Sequence, residues 1–252
     1  MKTQSSPFAQ FQDSIKNNVY DIEMPSNFKA IISGSSGSGK TTLCREILKK
    51  SREIMADPPK EVFYFYQIYQ KSLFNGIEED LNAIGVSVKF MQGSPSDEEL
   101  ESVIVSKVKP AVVVLDDLQQ QLGRGISNLF TVGSSHARIS IILMVQNLFD
   151  KNPHLRTCSL SATSIWLTKS VRDQTQIFSL GRQLMPSRGS SLVKIFQEAT
   201  REPFSYLMID LRQTCPEYLR LRSNVISKAG EPVSVFILEE EMRKHLEKNK
   251  IY

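Results

Sequence analysis

A loop rich in glycine and serine, followed by lysine and two threonines, occupies residues 34–42 with the sequence GSSGSGKTT. Glycine allows backbone conformations and close approaches that a side chain would obstruct, so successive amide N–H groups of such a loop can point inward around phosphate oxygens. The spacing from Gly34 to Thr41, G-x-x-x-x-G-K-T, is that of the phosphate-binding P-loop. The sequence therefore predicts a nucleoside triphosphate site.

Within this loop, residue types indicate individual roles. Lys40 would bridge the β- and γ-phosphates, and the Thr41 hydroxyl would coordinate Mg²⁺. The segment that follows has apolar residues at helical spacing, and a helix there would direct its unpaired amides and the positive end of its dipole at the same phosphates. The residues that we expect to contact the nucleotide are Gly34, Ser35, Ser36, Gly37, Ser38, Gly39, Lys40, Thr41 and Thr42.

Two carboxylates follow an unbroken apolar run later in the chain. Residues 111–115 read Ala-Val-Val-Val-Leu, which is typical of a strand covered on both faces at the centre of a parallel sheet. Asp116 and Asp117 come directly afterwards, at the carboxyl end where open α/β sheets bind ligands. We predict that Asp116 holds Mg²⁺ and that Asp117 orients and polarises the attacking water.

A further run, apolar except for Ser140, covers residues 139–145 and is followed by Gln146. An amide at the end of a strand beside the phosphates can bond both the attacking water and the γ-phosphate. Gln146 is therefore predicted to sense the state of the nucleotide.

The elements that must position these residues alternate between strands and helices. Strand-forming runs cover residues 30–32, 61–66, 86–91, 111–115, 139–145, 163–167 and 206–210, and a short alternating run covers 219–222. Helical spacing covers residues 40–48, 73–84, 94–104, 170–180, 190–199 and 238–250. We expect Gly181-Arg182-Gln183 to end the helix that begins at residue 170, and a turn at residues 123–125 to break the helix-like patches of residues 118–135.

This alternation predicts an α/β fold. The expected architecture is the three-layer αβα sandwich of a P-loop NTPase, with a mostly parallel central sheet and the additional strand that some ATPases carry between the P-loop strand and the Asp-bearing strand. We expect an N-terminal arm over residues 1–27, the P-loop ATPase domain over 28–222 and a C-terminal strand and helix extension over 223–252. A chain of 252 residues is long enough for one such domain.

Composition narrows the possible locations and partners. Three cysteines, odd in number and far apart, indicate buried thiols instead of a disulfide framework or a zinc site. No apolar run approaches the roughly 18 residues of a membrane span, and the polar N-terminus lacks the apolar core of a signal peptide. We expect a cytoplasmic or nuclear protein without a membrane partner. Residues 151–200 carry seven lysines and arginines against two acidic residues, so a polyanion could lie near them.

Two common P-loop classes fit poorly. Residues 147–150 read Asn-Leu-Phe-Asp, which is not the N-K-x-D signature of guanine recognition, so GTPases are disfavoured. No arginine-rich lid stands out, which disfavours the small-molecule kinases.

Five segments together resemble the FtsK/HerA superfamily of DNA-pumping ATPases. They are GSSGSGKTT at 34–42, VVVLDDL at 112–118, SHARISIILMVQNLF at 135–149, KSVRDQTQIF at 169–178 and LGRQL at 180–184. More narrowly, the chain is similar to the genome-packaging ATPases of poxvirus-like and Maverick/Polinton-like double-stranded DNA viruses. The resemblance implies a ring, often hexameric, that uses ATP and Mg²⁺ to thread duplex DNA, with capsid proteins as further partners, in the cytoplasm or nucleus of an infected cell or with the virion.

The resemblance also implies roles for individual residues. Gln146 matches the glutamine after the sensor strand of the family, and Arg172 matches an arginine in a Ser-Arg-[Ile/Asp] segment. An arginine finger stabilises transition-state charge in a neighbouring subunit and is worth roughly 10³ or more in rate. Arg172 is our first candidate for this finger and Arg182 our second. Cellular translocases usually have Asp-Glu where this chain has Asp116-Asp117. Asp117 therefore departs from the family pattern at the position of the catalytic carboxylate.

Contacts with duplex DNA would be made to backbone phosphates. Arg124, between two glycines, is the candidate for a mobile pore loop, and a solvent-facing turn is the alternative. For the whole protein, a helicase or other remodelling ATPase is one alternative function. A nucleotide-switched assembly subunit without sustained turnover is another, which the intact Lys40, Thr41, Asp116 and Asp117 disfavour.

Overall fold

A computed structural model describes residues 23–172, 174–186, 189–226 and 232–249 of the chain. Within these ranges nine strands form one sheet. The strands are β1 (Lys29–Ser33), β2 (Glu61–Tyr66), β3 (Ser87–Gln92), β4 (Ala111–Asp116), β5 (Ile139–Val145), β6 (Ser164–Thr168), β7 (Tyr206–Asp210), β8 (Leu221–Ser223) and β9 (Ser234–Phe236).

The strand order is β3-β2-β4-β5-β1-β6-β7-β8-β9. The six strands from β3 to β6 pair in parallel, whereas β7, β8 and β9 add an antiparallel edge. Strand β5, which ends before Gln146, lies between the P-loop strand β1 and the Asp-bearing strand β4. This arrangement confirms the predicted P-loop NTPase fold of the additional-strand type.

Helices cover both faces of the sheet. In chain order they are α1 (Lys40–Lys49), α2 (Ser51–Ile54), α3 (Lys71–Ala83), α4 (Asp97–Val105), α5 (Arg124–Asn128), α6 (Ser134–Ala137), α7 (Pro153–Ser161), α8 (Gln174–Leu184), α9 (Gly189–Ala199) and α10 (Glu239–Asn249). A π-helical turn, Leu129–Gly133, joins α5 to α6. Most strands and helices lie within a few residues of their predicted positions.

Alternate residues of each central strand enter two separate hydrophobic clusters, because successive side chains of a strand point to opposite faces. Ile32 belongs to the cluster that contains the buried residues of α1 and α3. Ile31 belongs to the cluster that contains those of α4, α7, α8 and α9. The sheet is thus the middle layer of the predicted αβα sandwich, and its apolar strands are buried on both faces.

The predicted end of a helix at residues 181–183 is one residue short of the observed end, but the role of Gly181 in ending it is wrong. Helix α8 continues to Leu184, and Gly181 lies inside it. A Cβ atom at Gly181 would lie 2.7 Å from the carbonyl oxygen of Gly189 at the start of α9. This glycine allows two helices to approach closely, and it does not terminate the first.

The predicted turn at residues 123–125 is also replaced by a helix, because α5 begins at Arg124. A Cβ atom at Gly125 would lie 2.6 Å from Oδ1 of Asp97 and 2.9 Å from Cδ1 of Leu100 on α4. Close packing against α4 explains this glycine. The candidate pore-loop cation therefore lies in the first turn of a helix.

Most of the predicted N-terminal arm, residues 1–22, lies outside the described residues. Met24 is buried and forms a parallel bridge with Met55, so the end of that segment packs on the domain. At the other terminus, β9 extends the sheet and α10 follows it. All three cysteines are buried free thiols, as predicted. Over the described ranges, the helices are too short or too polar to cross a bilayer.

Candidate nucleotide-binding site

The phosphate loop connects the end of β1 to the start of α1 at the carboxyl edge of the parallel strands. Gly37 and Gly39 have φ values of 75° and 90°, in the left-handed region that other residues enter at a cost. Gly39 is the N-cap of α1, whose first residue is Lys40. The loop therefore ends at unpaired helix amides, which is the arrangement that binds phosphate.

Thr168, the last residue of β6, supports the loop from behind. Its Oγ1 lies 2.7 Å from Oγ of Ser38 and donates to the carbonyl oxygen of Ser33 at 3.2 Å. A Cβ atom at Gly34 would lie only 1.9 Å from the same Oγ1. The first glycine of the motif is thus required because any side chain at position 34 would clash with Thr168, and not because the loop needs an unusual backbone dihedral angle there.

The side chain of Lys40 lies across the loop. Its Nζ donates to the carbonyl oxygens of Gly34 at 2.8 Å and Ser35 at 3.1 Å. Burial lowers the pKa of this ammonium group, while the nearby charges of Asp117 and Asp116 act in the opposite direction. A partly desolvated cation beside two carboxylates is suited to bind an oxyanion strongly, because its interactions are less screened by water.

Asp116 projects from the end of β4 toward the same face as α1. The hydroxyl of Tyr64, a buried residue of neighbouring β2, donates to Oδ2 of Asp116 at 2.8 Å. Burial raises the pKa of Asp116, and Asp117 adds to this effect, whereas the bond from Tyr64 and the charge of Lys40 oppose it. The tyrosine orients one oxygen of the carboxylate and leaves the other able to ligate a cation.

Asp117 has a φ value of 57°, which is uncommon for a residue other than glycine. Nε2 of Gln146 donates to Oδ1 of Asp117 at 3.0 Å. The backbone N–H of Gln146 donates to Oε1 of Gln119 at 2.7 Å. The predicted catalytic carboxylate and the predicted sensor are thus in direct contact, with Gln119 fixing the backbone of the sensor.

Nine of the predicted site residues line one open cavity of about 400 Å³. It brings together Ser36, Gly37, Gly39, Lys40, Thr41, Thr42, Asp116, Asp117 and Gln146, together with a rim of Gln67, Ile68, Gln70, Leu73 and Phe204. A hydroxyl and a carboxylate fit Mg²⁺, which prefers oxygen ligands and keeps several waters and substrate phosphates in its coordination sphere. Thr41 and Asp116 are the residues that would hold it.

A second cavity of about 520 Å³ also borders the phosphate loop. Its lining consists of residues 35–38 together with Lys169, Val171, Arg172, Pro203 and Phe204. Arg172 is therefore beside the phosphate loop of its own chain. Arg182 is exposed in the last turn of α8 and lines neither cavity.

Several residues of the site were not predicted from the sequence: Tyr64, Gln119, Thr168 and Phe204. For Tyr64 and Thr168, the sequence indicated only residues that favour strands, with no sign of a role in the site. Gln119 had no local pattern to distinguish it from the two glutamines that follow. Phe204, an exposed aromatic residue directly after a proline, had a recognisable turn signal but nothing to connect it to the loop.

No protein-family model and no curated protein matches this sequence. Two solved structures align with most of the chain. The cytoplasmic domain of EssC aligns over 88% of this chain and 43% of its own, with a TM-score of 0.43 and 12% identity. A KaiC-like protein from the hyperthermophilic archaeon Pyrococcus horikoshii aligns over 84% of this chain and 90% of its own, with a TM-score of 0.44 and 11% identity. The alignment thus covers less than half of the EssC chain.

Proposed function

We propose that this protein is a Mg²⁺-dependent ATPase that moves double-stranded DNA, as an oligomeric ring, in the packaging of a viral genome. The observation that carries the enzymatic part is the convergence of Lys40, Thr41, Asp116, Asp117 and Gln146 on one open cavity. A fold supplies only a scaffold, so the argument for hydrolysis depends on these side chains.

Each side chain has a part in the proposed hydrolysis. The loop amides and Lys40 bind the β- and γ-phosphates and stabilise the charge that develops on them. Thr41 and Asp116 hold Mg²⁺, which when bound neutralises charge on the triphosphate. Asp117 accepts hydrogen bonds from the attacking water, and Gln146, bonded to Asp117 at 3.0 Å, keeps that carboxylate oriented.

The motor part of the proposal is supported by the resemblance of five sequence segments and by charge. Residues 151–200, which include the segment around Arg172, are the most basic part of the chain. A translocase grips backbone phosphates with cations and polar groups, so no base-reading motif is required. The ring, the capsid contacts and a finger role for Arg172 or Arg182 belong to this proposal.

The first experiment measures steady-state ATP hydrolysis with Mg²⁺, with and without long duplex DNA. We expect hydrolysis that duplex DNA stimulates in the wild type, and loss of both rates in Lys40→Ala. Lys107→Ala is the matched control, because Lys107 is exposed and precedes β4 at the opposite edge of the sheet. If duplex DNA does not change the rate of hydrolysis, the protein is an ATPase and the proposed DNA motor is rejected. Unwinding of DNA strands would favour the helicase alternative.

Mixing experiments then test the finger. If Arg172 acts on a neighbouring subunit, mixing inactive Arg172→Ala subunits with inactive Lys40→Ala subunits will restore ATP hydrolysis, because a Lys40→Ala subunit can supply its arginine to the intact site of an Arg172→Ala neighbour. Arg182→Ala is tested in the same way. If neither mixture regains activity, the proposal that either arginine acts between subunits is rejected.

A further inference from the structure

Phe204 is an exposed aromatic residue at the phosphate loop. It lies between α9 and β7, and 71% of its surface is accessible. Exposure of single apolar residues is ordinary, but this one also has a φ of 62°, in the left-handed region where a bulky side chain is an outlier. Backbone strain of this kind persists only where the surroundings impose it, and it often accompanies ligand contacts.

The turn that contains Phe204 is held at several points. The N–H of Ser205 donates to the carbonyl oxygen of Glu202 at 3.4 Å, and its hydroxyl donates to the same oxygen at 2.6 Å. Pro203 in the second position and a positive φ in the third are features of a type II turn, whose third position usually holds glycine or asparagine. Phenylalanine at this position is unfavourable for the turn, so the conformation of the turn does not explain why this residue is present.

The same end of β6 supports both the loop and the turn. Thr168 contacts the phosphate loop through Ser38, and Lys169 donates from its Nζ to the carbonyl oxygen of Arg201 at 2.7 Å. These contacts place the turn beside the loop. A Cβ atom at Gly39 would lie 3.0 Å from Cδ1 of Phe204, so the ring covers the residue that immediately precedes Lys40.

Phe204 lines both cavities at the loop. The first cavity holds the groups that bind phosphates and metal, and the second has apolar lining from Val171 and Pro203 as well as the ring. A nucleotide also has a charged part and a largely apolar part, namely the triphosphate and the flat base, so the two cavities match its two parts. The ring therefore borders both the cavity that would receive the phosphates and the second, more apolar cavity.

We propose that Phe204 is the stacking platform for the base of the bound nucleotide, with the base and ribose in the second cavity. An aromatic ring offers a face to any base, and stacking of this kind gives affinity with little preference among bases. The strained backbone at Phe204 sets the ring against the loop before the nucleotide arrives. The inference depends on the proposed function, since it assigns a subsite to the nucleotide of that function.

The test compares the affinities of ATP and inorganic tripolyphosphate, which lacks a base and a ribose. In Phe204→Ala we expect ATP binding to weaken by roughly ten- to a hundredfold, the range for loss of one base-aromatic contact, and tripolyphosphate binding to stay unchanged. Phe204→Tyr, which keeps the ring, is expected to restore ATP binding. Phe178→Ala is the matched control, since Phe178 is 42% exposed and lines neither cavity.

A fluorescence experiment tests the contact directly. The chain has one tryptophan, Trp166, which is fully buried, so Phe204→Trp introduces an exposed fluorophore. We expect ATP, GTP and CTP to quench the new emission and tripolyphosphate to leave it unchanged. Quenching by tripolyphosphate to the same extent would contradict stacking.

The outcomes separate this inference from the proposed function. If the wild type binds neither ATP nor tripolyphosphate, the proposed function fails and the inference fails with it. If Phe204→Ala loses ATP and tripolyphosphate equally, or neither, only the base platform is rejected. A loss of affinity for duplex DNA with unchanged ATP affinity would assign the ring to DNA instead.

Discussion

Two carboxylates at the ends of strands, one in each half of the sheet, have opposite surroundings. Asp116 ends a parallel strand and, among the described residues, receives one hydrogen bond, from the hydroxyl of Tyr64. Asp210 ends the antiparallel strand β7 and is 1% exposed. Arg212 donates to it from Nε at 3.0 and 3.1 Å and from Nη2 at 2.8 Å, and the buried Arg222 donates as well.

The pKa values of the two groups shift in opposite directions. Burial raises the pKa of Asp116, and its single neutral donor and the charge of Lys40 do not compensate. Burial by itself would also raise the pKa of Asp210, but the hydrogen bonds from Arg212 and the charges of Arg212 and Arg222 lower it overall. A carboxylate saturated by arginines is structural, whereas one with unused lone pairs can still bind a cation. The first of four predictions tests Asp117, the carboxylate next to Asp116, and the other three test this contrast directly.

The largest effect is expected from Asp117→Asn. Asparagine tolerates the positive φ, and its amide oxygen can still accept from Gln146, so the fold should be unchanged. Losing the charge that polarises the attacking water should lower the rate of ATP hydrolysis by roughly 10² to 10⁴. ATP affinity measured by calorimetry should be retained. A variant that hydrolyses ATP at nearly the wild-type rate would show that Asp117 is not the catalytic carboxylate.

Asp210→Asn should act on stability instead. It removes the charge from the carboxylate to which the buried Arg222 donates, which costs about 3 to 5 kcal/mol in the free energy of unfolding, measured by urea denaturation. Glu217→Gln is the matched control, because Glu217 pairs with Arg220 in the same half of the molecule but is 62% exposed. Its effect should stay below about 1 kcal/mol. Equal losses in the two variants would contradict the distinction between buried and exposed pairs.

Tyr64→Phe should separate metal binding from folding. The substitution removes the donor to Asp116 and keeps the aromatic contacts of the ring with Phe74 and Phe90. Partners that orient a metal-binding side chain typically contribute 10- to 100-fold in metal affinity. We expect the Mg²⁺ concentration for half-maximal ATP hydrolysis to rise about tenfold. An unchanged Mg²⁺ requirement would mean that the tyrosine only fills the core.

The smallest effect is a dependence of stability on pH. The pKa of Asp210 is lower in the folded protein than its ordinary value of 3.8, so its stabilisation is complete above that value and is lost as pH falls through the folded pKa. One carboxyl contributes a slope of at most about 1.4 kcal/mol per pH unit. The decline in unfolding free energy below pH ~4 should therefore be shallower in Asp210→Asn. If the unfolding free energies of the wild type and Asp210→Asn decline with the same slope below pH ~4, Asp210 does not contribute to the pH dependence of stability.

Much of the site was predictable because its signals are local. The phosphate loop and its lysine are encoded by nine consecutive residues, 34–42, whose glycines allow the backbone to curve. Asp116 and Gln146 each come after a continuous apolar run, and such runs indicate buried parallel strands. Because the carboxyl ends of parallel strands share one edge of the sheet, the meeting of these side chains was predictable as well.

Glycine illustrates where local signals fail. At positions 125 and 181 the sequence suggested a turn and a helix end, and both glycines lie inside helices. A glycine marks either backbone freedom or the close approach of another segment, and only the packing partner distinguishes the two. Those partners are α4 for Gly125 and α9 for Gly181.

The sequence by itself determined the fold class, the phosphate loop and the order of the strands that bring the catalytic candidates to one edge. Tertiary structure decided which residues support them. Tyr64 contacts Asp116, 52 positions away in the sequence, and Thr168 contacts Ser38, 130 positions away. Phe204 covers Gly39 although the two residues are far apart in the sequence. Contacts of this kind depend on strand register and on the path of connecting loops, which no pattern in neighbouring residues encodes.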